Sequence, residues 1–204
     1  MPWTLRNYSR LGGWIFVRSN IGMELAISNN DFALPILPHE VVPARPDIFR
    51  LWMRHHPEGS ETERTKIRTL GELAYDRVRL AEAIDWICRN PGRFATLSLQ
   101  RVRYFWFYPS MGKRWRNVIL FPMVVVAAWG LFRMLQRHRF AGLLFLGDWL
   151  AYPLTYYFIQ VSGRYRYPIE WTILFLCCYA AWEGWHALRG RSRSKEPSMP
   201  RPPF

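Results

Sequence analysis

The sequence is poor in cysteine and has no spacing typical of a metal or disulfide framework. It contains three cysteines among 204 residues; Cys177 and Cys178 are adjacent in an apolar run, and Cys88 stands alone. Because there is no CxxC pair, the spacing excludes zinc-ribbon and thioredoxin-like motifs and predicts no disulfide. The first 25 residues also lack the basic, apolar and cleavage regions of a secretory signal peptide.

Acidic residues are also scarce, 15 against 28 lysines and arginines, which gives a formal net charge of +13. A charge of this sign favours nucleic acid, anionic lipid or a phosphorylated substrate as the partner. The sequence has no zinc-finger spacing, RNP-like motif or P-loop. We therefore expect no nucleic-acid partner and attribute the charge to membrane lipid or to a phosphate group.

Hydrophobic residues make up 50% of the chain and aromatic residues 17%, and the apolar residues are concentrated in its last part. Three segments there are each about 20 residues long, the length that crosses a bilayer as a helix. The segments are 117–136, 141–161 and 169–188. The second contains Asp148 and Pro153, so a buried or re-entrant segment is its alternative.

These features predict a mainly α membrane protein: a small mixed, largely helical extracytoplasmic domain at 1–116, followed by about three transmembrane helices. Residues 189–204 are polar and proline-rich, which predicts a disordered basic tail. Arg137 and Arg139, together with the basic tail, place the C-terminus in the cytoplasm and the first domain outside the inner (plasma) membrane. Basic residues between 101 and 116 weaken this orientation signal.

Within 1–116, Ser60 and Glu63 match a capping box, and Asn90–Pro91 matches an N-cap followed by proline at the first helical position. The predicted elements are a short strand at 13–18, strand or loop at 19–31, irregular chain at 34–57, and helices at 60–88 and 91–107. The core face predicted for the helix at 60–88 is an approximate stripe of Leu70, Leu73, Ala74, Arg77, Ala81 and Ile84.

Four arginines are candidates for binding a lipid phosphate. Arg164 and Arg166 belong to RYRYP, where Pro168 favours extended chain before it, so both guanidinium groups would face one ligand beside a helix N-terminus. Arg101 and Arg103 lie just before the first predicted span. The alternative is that these side chains only anchor the protein among lipid headgroups.

A second cluster of polar residues lies around a short apolar segment. Its members are Asn20, Glu24, Asn29, Asn30 and Asp31. They are candidates for hydrogen bonding sugar hydroxyls, or for holding a divalent metal through Asp31 and the amides. The alternative is a turn in which the asparagines and the aspartate cap the backbone.

Several short motifs follow one another in a characteristic order. They are RNY at 6–8, RSNIGMEL at 18–25, SNND at 28–31, HHPEG at 55–59, LGELAYDR at 70–77, WICRNPGRF at 86–94, RVRYFW at 101–106 and YYFIQVSGRYRYPIE at 156–170. This order resembles the C-terminal half of bacterial GT-C glycosyltransferases. These enzymes are relatives of the dolichyl-phosphate-mannose-protein mannosyltransferases and of the lipid-A aminoarabinose transferase.

The resemblance implies a multi-spanning enzyme that transfers a sugar from a polyprenyl-phosphate donor at the outer face of the membrane. The family's catalytic acidic residue lies in an early extracytoplasmic loop that has no counterpart in this sequence. We therefore assign no catalytic residue and expect this chain to be inactive unless another chain supplies the N-terminal half. The alternative is a non-catalytic membrane protein that binds lipid phosphate, glycan or a partner protein.

Overall fold

The computed structural model describes residues 2–14, 20–37, 46–107 and 114–193, and this part of the chain is mainly α-helical, as predicted. Its only β pairing is an isolated bridge between Ile36 and Val161. The helices are α1 (Pro2–Leu11), α2 (Ile21–Ser28), α3 (Pro46–Met53), α4 (Glu61–Leu70), α5 (Glu72–Arg89), α6 (Pro91–Trp106), α7 (Arg114–Arg137), α8 (Arg139–Phe158) and α9 (Tyr167–Arg193), with a 3-10 turn at Gly163–Arg166.

The chain divides into two compact units. Unit 1 consists of Met1–Gly112 and Pro153–Arg166, and unit 2 consists of Lys113–Tyr152 and Tyr167–Phe204. The first division lies close to the boundary predicted at residue 116. The segment Pro153–Arg166 differs from the prediction, because it includes the end of the predicted second span and yet belongs to unit 1.

The helix predicted at 60–88 is interrupted at Gly71, so the prediction of one continuous helix is wrong. Gly71 has φ 79°, and its N–H bonds to the carbonyl of Ile67, which ends α4. Only glycine adopts this backbone conformation without strain. The helix start was predicted correctly, since the Ser60 side chain accepts a hydrogen bond from the Glu63 N–H.

The predicted core face of α5 is also wrong. Its buried residues are Tyr75, Arg79 and Ala83, spaced by four, whereas Ile84 of the predicted stripe is 51% exposed. The physical reason is a polar network that draws the opposite face inward. Buried Glu63 accepts hydrogen bonds from the Tyr75 hydroxyl at 2.7 Å and from Lys66 Nζ at 2.8 Å.

The Glu63 carboxylate remains charged within this network. Burial acts to raise its pKa, but the hydrogen bonds from Lys66 and Tyr75 and the charge of Arg79 outweigh burial, and the pKa lies below its ordinary value. Arg79 extends the network to Glu82 at 2.6 Å and to the carbonyl of His55 at 3.3 Å. The network therefore holds α4 and α5 against the segment that follows α3.

Four further sequence predictions need correction. Residues 21–28 form helix α2, not a strand or loop, and α3 forms within the segment predicted to be irregular, with Pro46 in its first turn. Gly13 and Trp14 of the predicted strand are not in a strand, and residues 15–18 lie outside the described residues. Pro91 does begin α6, but the Asn90 side chain bonds back to the Trp86 carbonyl and so ends α5.

In unit 2, α7 and α9 approach closely where their side chains are small. A Cβ on Gly130 would collide with the backbone of Leu176, and Ala127 is fully buried. Near the C-terminal end of α7 the buried carboxylate of Glu183, on α9, pairs with Arg137 at 3.0 Å and Arg133 at 3.3 Å. In the same unit, a hydrogen bond of 2.9 Å from Trp149 Nε1 to the Thr172 hydroxyl joins α8 to α9.

Among the described residues, one helix segment, Val118–Arg137, is long and apolar enough to cross a membrane. It matches the first predicted span. The second and third predicted spans correspond to α8 and α9, which do not pass the same test. Asp148, Pro153 and the tyrosines near the end of α8 lower its hydropathy.

Gly71→Ala should lower the free energy of unfolding by about 1–3 kcal/mol, because alanine is strained at φ 79°. Gly92→Ala is the matched control: neither site has an atom that a new Cβ would meet, but Gly92 has an ordinary φ. Denaturant unfolding of the detergent-solubilised protein, followed by circular dichroism, measures both. Equal stability of the two variants would contradict the role assigned to Gly71.

Candidate functional site

Arg101 is fully buried in unit 1, and its guanidinium group joins three elements. Nη1 donates to the Asn29 side-chain oxygen at 3.0 Å and to the Phe158 carbonyl at 2.8 Å. Nη2 donates to the Ser28 carbonyl. Because the group is fully buried and both Nη atoms donate inside the protein, Arg101 is not presented to a lipid phosphate in this structure.

The two carbonyls that Arg101 meets are helix C-termini. Ser28 is the last residue of α2 and Phe158 the last of α8, so each carbonyl carries the partial negative charge of a helix end. No carboxylate of the described residues is ion-paired with Arg101. Burial therefore lowers the pKa of Arg101 to about 10, and the two helix ends supply the compensating negative charge.

Neighbouring side chains fasten the chain after α8 to the same point. Asn29 Nδ2 donates to the Phe158 carbonyl at 3.0 Å and to the Leu25 carbonyl at 2.9 Å. The Ser28 hydroxyl accepts from the Gln160 N–H at 2.9 Å, and the Gln160 side chain accepts from Trp52 Nε1 at 2.9 Å. The backbone of residues 158–161 is thus held within unit 1 by α2, α3 and α6.

Arg166 has a similar role at another helix end. It is 4% exposed, and its Nη1 donates to the carbonyl of Trp106, the last residue of α6, at 2.6 Å. Residues 163–166 form a 3-10 turn, so the extended geometry predicted before Pro168 is wrong. Arg164 is exposed while Arg166 is buried, and the two guanidinium groups do not face one ligand.

The four predicted phosphate-binding arginines therefore separate into an inner and an outer pair. Arg101 and Arg166 are buried against helix ends, whereas Arg103 and Arg164 are exposed. The two exposed arginines lie on α6 and on the 3-10 turn, which the bond from Arg166 to Trp106 holds together. We refer to Arg103 and Arg164 as the outer arginines.

Aromatic rings surround the junction of these elements. Tyr156 stacks on Tyr165 at 4.7 Å and on Phe105 at 5.8 Å between ring centroids. Trp106 Nε1 donates to the Tyr157 hydroxyl at 2.9 Å. These contacts hold the end of α8 against α6 and the 3-10 turn, the two elements that carry the outer arginines.

The predicted sugar-binding residues do not converge. Asn20 donates to Glu24 at 3.1 Å at the start of α2, while Asn29 and Asn30 lie beyond its end. An eight-residue helix separates these groups by about 12 Å at its ordinary rise. The Asn30 side chain bonds to the Ala26 and Ile27 carbonyls, so the structure favours the capping alternative for this residue.

Asp31 is an exposed residue whose carboxylate accepts a hydrogen bond of 2.8 Å from Trp86 Nε1. Its carbonyl accepts a bond from Arg93 at 3.2 Å. In the described part of the chain, no group of three or more histidine, cysteine, aspartate or glutamate side chains converges. A divalent metal held by Asp31 and the amides stays a prediction.

Comparison of this chain with protein-family models, curated proteins and solved structures finds no match.

The burial of Arg101 was not predicted, although the spacing of residues along α6 indicates it. The buried residues of α6 are Leu97, Arg101 and Phe105, spaced by four along the helix. Arg101 therefore shares the apolar face with Leu97 and Phe105, while Arg103 lies outside this stripe. Its partners Ser28 and Phe158 act through backbone carbonyls, which side-chain patterns do not reveal.

Arg101→Met should lower the free energy of unfolding by about 2–4 kcal/mol, because it leaves buried acceptors without donors. Arg103→Met, two residues along the same helix, should change it by about 0.5 kcal/mol or less. Denaturant unfolding in detergent measures both. A loss of similar size in both variants would show that Arg101 does not have the structural role assigned to it.

Proposed function

We propose that this chain is the membrane-embedded C-terminal part of a GT-C-like glycosyltransferase whose donor is a polyprenyl-phosphate-linked sugar, and that it is inactive alone. The membrane location rests on the outward-facing apolar residues of unit 2. The sugar-transfer class rests on the resemblance of the sequence motifs.

The outer surface of unit 2 consists largely of big apolar side chains. Each of the following is at least 50% exposed: Val118, Ile119, Phe121, Val125, Trp129, Phe140, Leu143, Leu144, Leu150, Trp171, Leu174, Trp182, Trp185 and Leu188. A water-soluble protein rarely exposes so much contiguous apolar surface. Lipid chains are the environment that suits this surface, since they provide apolar contacts on every side of the helices.

We extend this proposal to three crossings by α7, α8 and α9 in the inner (plasma) membrane. Trp171 lies near the start of α9 and Trp185 near its end, as expected for the two interfacial aromatic belts. Pairing of Glu183 with Arg133 and Arg137 lowers the cost of placing these charges near lipid. The basic flanks favour an orientation with α1–α6 outside and the C-terminus in the cytoplasm.

The outer arginines are the part of the proposed site that meets the lipid phosphate. Arg103 on α6 and Arg164 on the 3-10 turn are exposed, and the bond from Arg166 to the Trp106 carbonyl holds these two elements together. Guanidinium groups bind phosphate oxygens through a planar fork, so a phosphate at the membrane surface is the ligand that suits them.

The alternative, a non-catalytic membrane protein that binds lipid phosphate, glycan or a partner, is favoured by one observation. The acidic side chains in the predicted sugar-binding set have partners within the protein: Trp86 bonds to Asp31 and Asn20 to Glu24.

An assay of the purified chain with lipid-linked sugar separates the glycosyltransferase from the non-catalytic alternative only when the chain supplying the early acidic loop is added. Transfer that requires this second chain supports the glycosyltransferase, and absence of transfer in its presence supports the alternative.

Replacing Arg103 or Arg164 with Gln should weaken binding of polyprenyl phosphate about fivefold each, since an exposed charge-assisted contact contributes about 1 kcal/mol. Arg68→Gln and Arg77→Gln remove the charges of other exposed arginines, on α4 and α5, and should have little effect. Binding is measured in nanodiscs at one ionic strength, because salt screens exposed charges. An equal loss in all four variants would mean that binding reflects net charge alone.

The proposed orientation is tested with single cysteines at exposed positions 164 and 139, introduced as Arg164→Cys and Arg139→Cys. The natural cysteines are first replaced with serine: Cys88, Cys177 and Cys178. An impermeant thiol reagent applied to intact cells should label position 164 and not position 139. The reverse pattern would invert the orientation, and labelling at both or at neither position would contradict a membrane crossing between them.

A further inference from the structure

Helix α1 has its polar side turned toward the protein and apolar residues turned outward. Thr4 and Asn7 are each 6% exposed, whereas Trp3, Leu5 and Tyr8 are 55%, 59% and 49% exposed. A helix on the surface of a water-soluble domain has the opposite arrangement, with its apolar stripe buried. The exposed apolar side chains of α1 therefore indicate a contact beyond the protein.

The turn that follows α1 adds the ring of Trp14 to this surface. Gly12 has φ 72°, in the left-handed region, and its N–H bonds to the Tyr8 carbonyl at 2.9 Å, which closes the helix. The turn brings Trp14 back to stack on Tyr8, with ring centroids 4.6 Å apart. Trp14 is 62% exposed, so the stacked rings present an apolar face to the outside.

Close contacts hold this surface against the rest of unit 1. A Cβ on Gly13 would lie 2.9 Å from Leu73 Cδ1, so the turn after α1 lies directly against the start of α5. With Thr4 and Asn7 also buried, the orientation of α1 is set by its contacts. The outward direction of Leu5 and Tyr8 is therefore a property of the fold.

The charge of the segment has one sign. No acidic residue precedes Glu24 in the sequence, while α1 carries Arg6 and Arg10. Their side chains are exposed, and the Arg6 guanidinium lies 4.9 Å from the Trp3 ring centroid. At 100° per residue, Trp3, Arg6 and Arg10 fall on one flank of the helix, and Leu5 and Tyr8 on the other.

We propose that residues 2–14 lie in the interfacial region of a bilayer that contains anionic phospholipid. Leu5, Tyr8 and Trp14 would enter the boundary between headgroups and acyl chains, and Arg6 and Arg10 would contact lipid phosphates. Tryptophan and tyrosine with flanking arginines are the composition that this region favours. Lipid meets both requirements of the segment, apolar contact for the rings and negative charge for the arginines.

This inference rests on the proposed membrane location but not on the sugar donor. The full chain, with its three natural cysteines replaced by serine, is combined with vesicles of phosphatidylcholine, with or without an equal part of phosphatidylglycerol. A fluorophore is attached through Leu5→Cys, Val125→Cys or Thr65→Cys. Val125 is exposed on α7, and Thr65 is an exposed residue of the polar helix α4. Quenchers fixed on the lipid chains report which probe is in the bilayer.

We expect quenching at positions 5 and 125 and none at position 65. Arg6→Gln and Arg10→Gln should each lower the ratio of docked to undocked probe at position 5 about fivefold in the anionic vesicles. Arg68→Gln, a charge removed from α4, is the matched control and should leave this ratio unchanged.

The outcomes separate the two proposals. Quenching at 125 without quenching at 5 would overturn the docking of α1 and leave the membrane location standing. Quenching at 5 without quenching at 125 would support the docking and overturn the crossing by α7. Quenching at neither position, or equally at 65, would overturn the docking, as would a signal at 5 that does not depend on phosphatidylglycerol and Arg6. A probe at 5 shielded only by a second protein copy would also overturn it.

Discussion

A buried guanidinium group needs negative charge close by, and in unit 1 this requirement is met by the backbone. Arg101 is placed where α2 and α8 both end, and its Nη atoms donate to the carbonyls of Ser28 and Phe158. Each helix end has carbonyls without intrahelical partners. One cation therefore satisfies acceptors from two helices at once, and much of unit 1 depends on this junction.

A second arginine satisfies a helix-end carbonyl at the end of α6. Arg166 donates to the Trp106 carbonyl, and so holds the 3-10 turn against the helix that carries Arg101. The inner arginines thus determine where the outer arginines, Arg103 and Arg164, lie. Two of the four residues thus have structural roles, although all four are arginines in two short motifs that lie far apart in the sequence.

This separation explains why the sequence predicted helices better than it predicted sites. The helix starts at Ser60 and Pro91 are local features, and both were predicted correctly, the first from its side-chain cap and the second from proline at the first helical position. The burial of Arg101 depends on a carbonyl at Phe158, 57 residues away. A charged residue is assigned by default to the surface, and only the spacing of Leu97, Arg101 and Phe105 argued otherwise.

The same limit applies to the division of the chain. Apolar length alone assigned residues 141–161 to one span, but the last residues of α8, from Pro153, belong to unit 1. Their carbonyls and rings have specific partners there, including Asn29 for Phe158 and Tyr165 for Tyr156. Hydropathy measures how well a segment suits lipid and contains no term for such partners, so it could not assign the end of α8 to unit 1.

Buried charges are stabilised in two ways in this protein. The Glu183 carboxylate pairs with two arginines of α7, and the Glu63 carboxylate pairs with Lys66 and Arg79. The Arg101 cation is instead matched by the carbonyls of two helix ends. A helix C-terminus carries about half a negative charge, so two of them at one point are needed to balance one guanidinium group.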